Sequence, residues 1–132
     1  MKKSFIREEA RCYFIPFLLG DNRTSHKLSR KFLRKYGIVS FILDTKGSLS
    51  DVFDISCKFI KLSDTDDDTL LLLQLTDIVY EIPSTMPILI PCSEKYKDFT
   101  KAFEFEKELE SIFFISDEET VLTDSPLRII PS

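Results

Sequence analysis

CYFIPFLLGDNRTSHKLSRKFLRKYG, residues 12–37, is the stretch of sequence that decides the fold. An apolar run from Cys12 ends at Gly20, a short polar loop follows, and an amphipathic helix then runs to Gly37. This order is typical of the first strand, loop and helix of a parallel α/β sheet. The loop lies at the carboxyl end of the strand, which is where open α/β sheets bind their ligands.

The loop carries turn and capping residues. Gly20 can adopt backbone angles that other residues avoid, and Asp21 and Asn22 favour a turn through side-chain bonds to nearby backbone. Ser25 is predicted to be the N-cap of the helix, so that free backbone amides face the crevice just after it. Neither the G-x-G-x-x-G of a dinucleotide site nor the G-x-x-x-x-G-K-[ST] of a P-loop is present. The sequence therefore predicts no cradle for the phosphates of a nucleotide.

Strands and helices alternate through the rest of the chain. The predicted strands are 12–19, 38–43, 57–62, 88–91 and 112–115. The predicted helices are 26–36, 66–81, one that is capped by Ser93, and a short one that holds Phe105 and Leu109. Residues 44–54 are predicted to be a loop. In the second helix, Leu70, Leu73, Ile78 and Val79 are expected to face inward. Continuous apolar strands suit a parallel sheet covered on both faces. The predicted fold is a three-layer, Rossmann-like α/β domain with a mainly parallel sheet of about five strands and the first strand at its centre.

A length of 132 residues is typical of one domain. We expect an N-terminal extension at residues 1–11, the α/β domain at 12–117 and a C-terminal tail at 118–132, in which 127–130 either adds a strand or lies loose. No apolar run approaches the ~18 residues that cross a bilayer, and charged residues interrupt the start of the chain, which therefore does not look like a signal peptide. A cytoplasmic location without a membrane partner is expected.

Cysteine and histidine usage argues against a metal site. Cys12, Cys57 and Cys92 are far apart and form no C-x-x-C pair, so neither structural zinc nor a disulfide framework is predicted. Cys92 lies before a helix, where a thiolate can be favoured, but its interpretation as a small turn residue is preferred. His26 is the only histidine, which excludes a metal site built from several histidines. The acidic run 64–68 lacks the glycine and closing glutamate of a calcium loop, so it is predicted to cap a helix.

Charge is unevenly distributed. The first 37 residues hold ten Lys/Arg and three Asp/Glu, while the remaining 95 hold eight and nineteen. The basic face of the first predicted helix could bind nucleic acid. The net charge is −4, however, and no aromatic residues interleave with the basic ones, so a solvated outer face is preferred and no nucleic-acid partner is expected. The basic residues of that face are Lys27, Arg30, Lys31, Arg34 and Lys35.

Three segments together carry a resemblance to a known family. They are Phe14-Ile15-Pro16 with Leu18-Leu19-Gly20-Asp21; Arg30, Phe32 and Tyr36-Gly37; and Ile88-Leu89-Ile90-Pro91-Cys92 with Glu94 and Tyr96. At this spacing they resemble the opening of ATP-grasp carboxylate–amine ligases, in particular D-aspartate-ligase-like members. In that family a Rossmann-like preATP-grasp domain precedes the ATP-grasp module. The resemblance covers about residues 12–117. Thr24 and His26 stand where such ligases usually carry an Asn and a Tyr.

The resemblance implies a substrate-side domain that is not catalytic alone. Such ligases activate a carboxylate as an acyl phosphate, which an amine then attacks. The glycine-rich loop, phosphate-binding lysines and acidic metal ligands belong to the ATP-grasp module, so ATP and Mg²⁺ are expected only with that module. The implied partners are an ATP-grasp module, in the same polypeptide or a separate chain, and a small carboxylate or amine; a homo-oligomer is left open. The alternative is a free-standing Rossmann-like binding or interaction module.

The candidate binding residues follow the first and fourth predicted strands. A ligand is expected where the loop 20–25 meets the turn 92–94, because both strands end at the same edge of the sheet. Amides at the two helix starts would receive a carboxylate or phosphate, and Asp21 and Glu94 would take an amine. The competing interpretation is that these are turn and capping residues. The predicted set is Gly20, Asp21, Asn22, Ser25, Cys92, Ser93 and Glu94.

Overall fold

Apolar segments bounded by turns form the strands, and the segments between them form helices. The computed structural model describes residues 14–82 and 86–122. Its strands are β1 (Ile15–Leu19), β2 (Ser40–Asp44), β3 (Cys57–Lys61), β4 (Pro87–Pro91) and β5 (Phe114–Ile115). Its helices are α1 (Arg23–Tyr36), α2 (Leu49–Phe53), α3 (Asp68–Glu81), α4 (Glu94–Lys101), α5 (Phe103–Ile112) and α6 (Glu118–Leu122).

The five strands pair in parallel in the order β3-β2-β1-β4-β5. β1 therefore lies at the centre, between β2 and β4, as its apolar sequence predicted. The chain first winds outward through β2 and β3, then returns to the other side of β1 with β4. The strand order thus reverses beside β1, and the carboxyl ends of β1 and β4 flank the point at which such sheets open a ligand crevice. The predicted three-layer, Rossmann-like fold is confirmed.

Alternate side chains of β1 enter two separate cores. Phe17 and Leu19 pack on one face of the sheet with Leu75 of α3, whereas Leu18 packs on the other face with Phe32 of α1. All five side chains are fully buried. Because successive strand residues point to opposite faces, an uninterrupted apolar run is required when helices cover both sides.

The buried face of α3 differs from the prediction. Leu71, Leu72 and Leu75 are buried, while Leu70 is 48% exposed and Leu73 is 54% exposed. The helix sequence DTLLLLQLTDIVYE is apolar on every side, so helical periodicity gave no unique inward face. The prediction that Leu70 and Leu73 face inward is wrong, and the packing of the sheet selected the neighbouring leucines.

Several element boundaries also differ from the sequence interpretation. The predicted loop 44–54 contains the short helix α2, whose N-cap is Ser48. The two helices predicted after Ser93 are present, and the first ends at Lys101 while the second begins at Phe103. Residues 118–122, assigned to the tail, form α6, which buries Val121 in the core beside α1. Cys12 and the predicted tail segment 127–130 lie outside the described residues.

None of the helices in the described ranges has the length and apolar content to cross a membrane. On α1, the basic side chains Lys27, Arg30, Arg34 and Lys35 are exposed, and Lys31 is half-buried where its ammonium donates to the carbonyl of Leu122. The basic face of α1 is therefore an outer face, as predicted.

Candidate functional site

The loop between β1 and α1 is built by a glycine and a capping box. Gly20 has φ +116°, a conformation that side chains rarely adopt. Asn22 is the N-cap: its Oδ1 accepts from the amide of Ser25 at 3.0 Å, and the Ser25 hydroxyl accepts from the amide of Asn22 at 2.9 Å. The prediction that Ser25 is the N-cap is therefore wrong, because the helix begins three residues earlier than its apolar pattern indicates. The capping box leaves the first two helical amides, those of Arg23 and Thr24, without an acceptor inside the helix.

The two loops predicted to meet are in contact. The side-chain amide of Asn22 donates to the carbonyl of Cys92 at 2.8 Å, and the amide of Cys92 donates to the carbonyl of Leu19 at 2.8 Å. A Cβ on Gly20 would lie 3.5 Å from Ser93 Oγ. The loops therefore pack directly on each other.

The β4–α4 turn offers little reactive chemistry of its own. Cys92 is buried, and burial followed by the charge of Glu118 raises the pKa of its thiol to about 12. It is a neutral thiol at physiological pH, so the helix start does not produce a thiolate. Ser93 occupies the N-cap position of α4 but makes no side-chain capping bond, and Glu94 is exposed at the first helical position.

A buried histidine surrounded by carboxylates lies on the other side of the β1–α1 loop. His26 is 5% exposed. Its Nδ1 lies 2.7 Å from Asp54 Oδ2, and its Nε2 lies 2.9 Å from Asp21 Oδ1 and 3.0 Å from Asp51 Oδ1. Arg30, one turn further along α1, reaches Asp54 Oδ2 at 3.3 Å. We refer to His26, Asp21, Asp51 and Asp54 as the histidine cluster.

The surrounding carboxylates determine the protonation of His26. Burial by itself lowers the pKa of this imidazole, but hydrogen bonds with Asp54 and Asp21 and the charges of Asp21 and Asp51 raise it above 6.5. The reverse effect acts on Asp54: burial opposes its charge, yet bonds from Ser56 and His26 lower its pKa to about 2. Burial and the neighbouring Asp51 carboxyl raise the pKa of Asp21. The Asp21 and Asp51 carboxyls therefore compete for the single imidazole nitrogen that faces them.

Hydrogen bonds from neighbouring segments hold the cluster in place. Asp54 Oδ1 accepts from the amide and the hydroxyl of Ser56, and Asp51 Oδ2 accepts from the amide of Ser48 at 2.7 Å. On the β1 side, the Asp21 amide donates to Asp44 Oδ2 at 2.7 Å. The carboxylates of Asp51 and Asp54 are therefore positioned by their own loops, and the backbone of Asp21 is held by Asp44.

A pocket of about 340 Å³ opens directly over the cluster. It combines two guanidinium groups with amide and hydroxyl groups, and His26 and Asp21 form part of its wall. This composition suits a small polar molecule with a carboxylate. The lining residues are Asp21, Asn22, Arg23, His26, Arg30, Ser48 and Ser50.

The structure therefore places the predicted residues in three groups. Gly20, Asn22 and Ser25 build the loop; Asp21 and Asn22 also line the pocket; Cys92, Ser93 and Glu94 lie on the β4 side. Sequence reasoning missed two of the three carboxylates around His26, because Asp51 and Asp54 fall in the segment predicted to be a loop. The only available signal was the spacing of one histidine and several acids around two strand ends, which does not specify a contact.

Comparison with known proteins gave no match: no protein-family model, curated protein or solved structure matches this chain. Function is therefore inferred from the fold and from the geometry of the site.

Proposed function

We propose that this chain is a substrate-binding domain that holds the carboxylate of a small molecule at the carboxyl edge of its sheet. In the fuller form of the proposal, it is the substrate-side domain of an ATP-grasp carboxylate–amine ligase, is inactive alone, and works with an ATP-grasp module that brings ATP and Mg²⁺. A cytoplasmic location is part of this proposal, in keeping with the buried free thiols of Cys57 and Cys92.

The observation that carries the proposal is the pocket at the end of β1. Arg23 and Arg30 supply positive charge there, and guanidinium groups bind carboxylates with two parallel hydrogen bonds. The two helical amides left over by the Asn22 capping box add donors at the same end of α1. A pocket of about 340 Å³ is near the lower end of the size range of small-molecule sites.

Chemical-shift mapping of the ¹⁵N-labelled chain tests the proposal. In EDTA-containing buffer, D- and L-amino acids and dicarboxylates are titrated separately, with ATP as a further ligand. Shifts at residues 20–25 and 48–50 that saturate with one of the acids are expected. ATP alone is expected to bind weakly, because no phosphate-cradling glycine loop is present. Shifts clustered around Gly37, at the opposite edge of the sheet, would contradict the proposed position.

Two arginines on the same helix provide a matched pair of variants. Arg23→Gln removes a guanidinium from the pocket wall, whereas Arg34→Gln removes an exposed guanidinium from the last turn of α1. We expect the first to weaken binding of the acid about tenfold or more, the loss of one charged hydrogen-bonding group, and the second to leave it unchanged. Equal effects would indicate nonspecific attraction to the basic helix.

A second candidate function, a protein-interaction module, is favoured by the surface around α2. Leu49 is 80% exposed, Val52 75%, Phe53 78% and Ile55 85%. Apolar side chains gathered on one surface are typical of a contact site for another domain or subunit. This candidate predicts that the chain forms dimers in sedimentation experiments and that Phe53→Ser abolishes them. A matched Tyr80→Ser change, at an 83% exposed position on α3, leaves them intact. A monomeric wild-type chain would contradict this second candidate function.

A further inference from the structure

Two buried carboxylate oxygens in the histidine cluster have no hydrogen-bond donor in the part of the chain that the structure describes. The side chains of Asp21 and Asp51 are only 2% and 7% exposed. Asp21 Oδ2 and Asp51 Oδ1 are shielded from solvent, and among the described residues neither receives a hydrogen bond. The one proton that Nε2 of His26 can carry is directed at Asp21 Oδ1. A buried acceptor without a donor is costly, and a cation bound between the two carboxylates would relieve this cost.

We propose that Nε2 of His26 and the carboxylates of Asp21 and Asp51 bind a divalent transition-metal ion, and that Zn²⁺ is the ion this donor set fits best. One imidazole nitrogen and two carboxylate oxygens form a mixed nitrogen–oxygen set of the kind zinc accepts. This inference goes beyond the proposed function and does not depend on it.

The two distances from the imidazole nitrogen to the carboxylates fit a tetrahedral ion with a small local adjustment. In tetrahedral zinc, bonds of about 2.0 Å place neighbouring nitrogen and oxygen ligands about 3.3 Å apart. Nε2 of His26 lies 2.9 Å from Asp21 Oδ1 and 3.0 Å from Asp51 Oδ1. The donors would move apart by about 0.3–0.4 Å when the metal replaces the proton between them, which rotation of the carboxylates can supply.

Asp54 prepares the imidazole for this role. Its Oδ2 lies 2.7 Å from Nδ1 of His26, and a carboxylate in this position holds the proton on Nδ1. When the metal replaces the proton on Nε2, the lone pair of this nitrogen points at Asp21 and Asp51. Metal-binding histidines are commonly oriented in this way by a carboxylate on the other ring nitrogen. Asp54 is itself fixed by Ser56, so the arrangement does not require the metal to form.

The local charge also matches a divalent cation. Asp21, Asp51 and Asp54 contribute three negative charges, and Arg30 contributes one positive charge beside Asp54. With His26 neutral as a ligand, the group carries a charge of −2, which a divalent ion neutralises. The pocket of about 340 Å³ lined by Asp21 and His26 provides the entry path and the remaining coordination position for water.

Cys57 provides a clear competing geometry. Donor atoms of His26, Asp51 and Cys57 all lie within 4.8 Å of one another. The Cys57 sulfur, however, lies 3.9 Å from Nδ1, the nitrogen that Asp54 occupies. A metal bound to Cys57 would therefore have to displace Asp54, whereas a metal at Nε2 would not. Spectra of the Co²⁺ protein separate the two arrangements, since thiolate ligands give a charge-transfer band and carboxylates do not.

The experiment is a Zn²⁺ titration of the metal-stripped chain, followed through the imidazole nitrogens. Because His26 is the only histidine, its side-chain ¹⁵N signals need no assignment. One equivalent of Zn²⁺ is expected to shift the Nε2 signal while Nδ1 keeps its proton. Calorimetry is expected to give one site per chain, and the Co²⁺ spectrum no thiolate band. Unmoved imidazole signals at stoichiometric Zn²⁺, or a thiolate band, would overturn the proposal.

Paired aspartate variants distinguish this site from adventitious binding. Asp51→Asn is expected to weaken Zn²⁺ binding about tenfold or more, while Asp66→Asn, in the exposed acidic run 64–68, leaves it unchanged. The reverse pattern would place the ion in that run and refute the site. If Asp51→Asn does not fold, the imidazole spectrum of the wild-type chain still tests whether Zn²⁺ binds at His26. Arg23→Gln is expected to keep full Zn²⁺ affinity, so failure of the carboxylate proposal and failure of the metal proposal remain distinguishable.

Discussion

Replacing Asp54 by asparagine tests whether the histidine cluster stabilises the fold through charge. In the folded chain, Asp54 accepts hydrogen bonds from Ser56 and lies 2.7 Å from Nδ1 of His26, and its pKa is lowered from 3.8 to about 2. A carboxylate whose pKa is lower in the folded state stabilises that state above the unfolded pKa. This contribution is lost as the pH falls through the folded pKa.

The size of the effect follows from the pKa difference. A shift from 3.8 to about 2, at about 1.4 kcal/mol per pKa unit, corresponds to about 2 kcal/mol of stability. This contribution is fully present above pH 4 and disappears between pH 4 and pH 2. His26 is protonated in both the folded and the unfolded chain over this range, because its folded pKa is raised above 6.5. The difference in slope between the wild type and Asp54→Asn in this window therefore reports Asp54, and the imidazole does not contribute to it.

The assay is urea unfolding at a series of pH values from 5 to 2 in the presence of EDTA. The wild-type free energy of unfolding is expected to fall by about 2 kcal/mol more than that of Asp54→Asn across this window. Asp77→Asn, at an exposed position on α3, serves as the control and keeps the wild-type slope. If Asp54→Asn shows the same loss as the wild type, the hydrogen bonds at Asp54 do not stabilise its charged form, and this reasoning is refuted.

Further predictions concern the loop, the core and the titrating groups. Gly20→Ala is expected to destabilise the fold by about 1–2 kcal/mol in urea unfolding, because φ +116° opposes a side chain. Leu75→Ala is expected to cost about 2–5 kcal/mol, and Leu73→Ala, at a 54% exposed position, less than about 1 kcal/mol; equal losses would contradict the observed face of α3. Cys92 in the folded chain is expected to alkylate far more slowly at pH 8 than in urea, since burial raises its pKa to about 12. In metal-free buffer, NMR titration of His26 should give a midpoint above 6.5, so the stability it adds is complete below pH 6.5 and lost as the pH rises through that midpoint.

Local chemistry made the central unit of the fold predictable. The apolar run that ends at Gly20, and the helix that ends at Gly37 in a left-handed conformation, follow from backbone preferences and periodicity. Apolar strands without alternation also predicted a parallel sheet with helices on both faces. The inward face of α3 was not predictable, because leucines surround that helix and only the shape of the adjoining sheet chooses among them.

The histidine cluster shows more clearly which features follow from the local sequence and which depend on the tertiary structure. The sequence by itself determined that Asp21 and His26 lie near the carboxyl end of β1, where ligands of such sheets bind. It could not place Asp51 and Asp54 beside them, since these residues are 25 and 28 positions beyond His26 and the short helix that carries Asp51 has no strong pattern of its own. Only the parallel pairing of β2 and β3 beside β1 brings that segment over the loop. Contacts between distant residues depend on how the sheet packs, and this packing is a property of the whole chain, whereas turns, caps and strand burial are encoded within a few neighbouring residues.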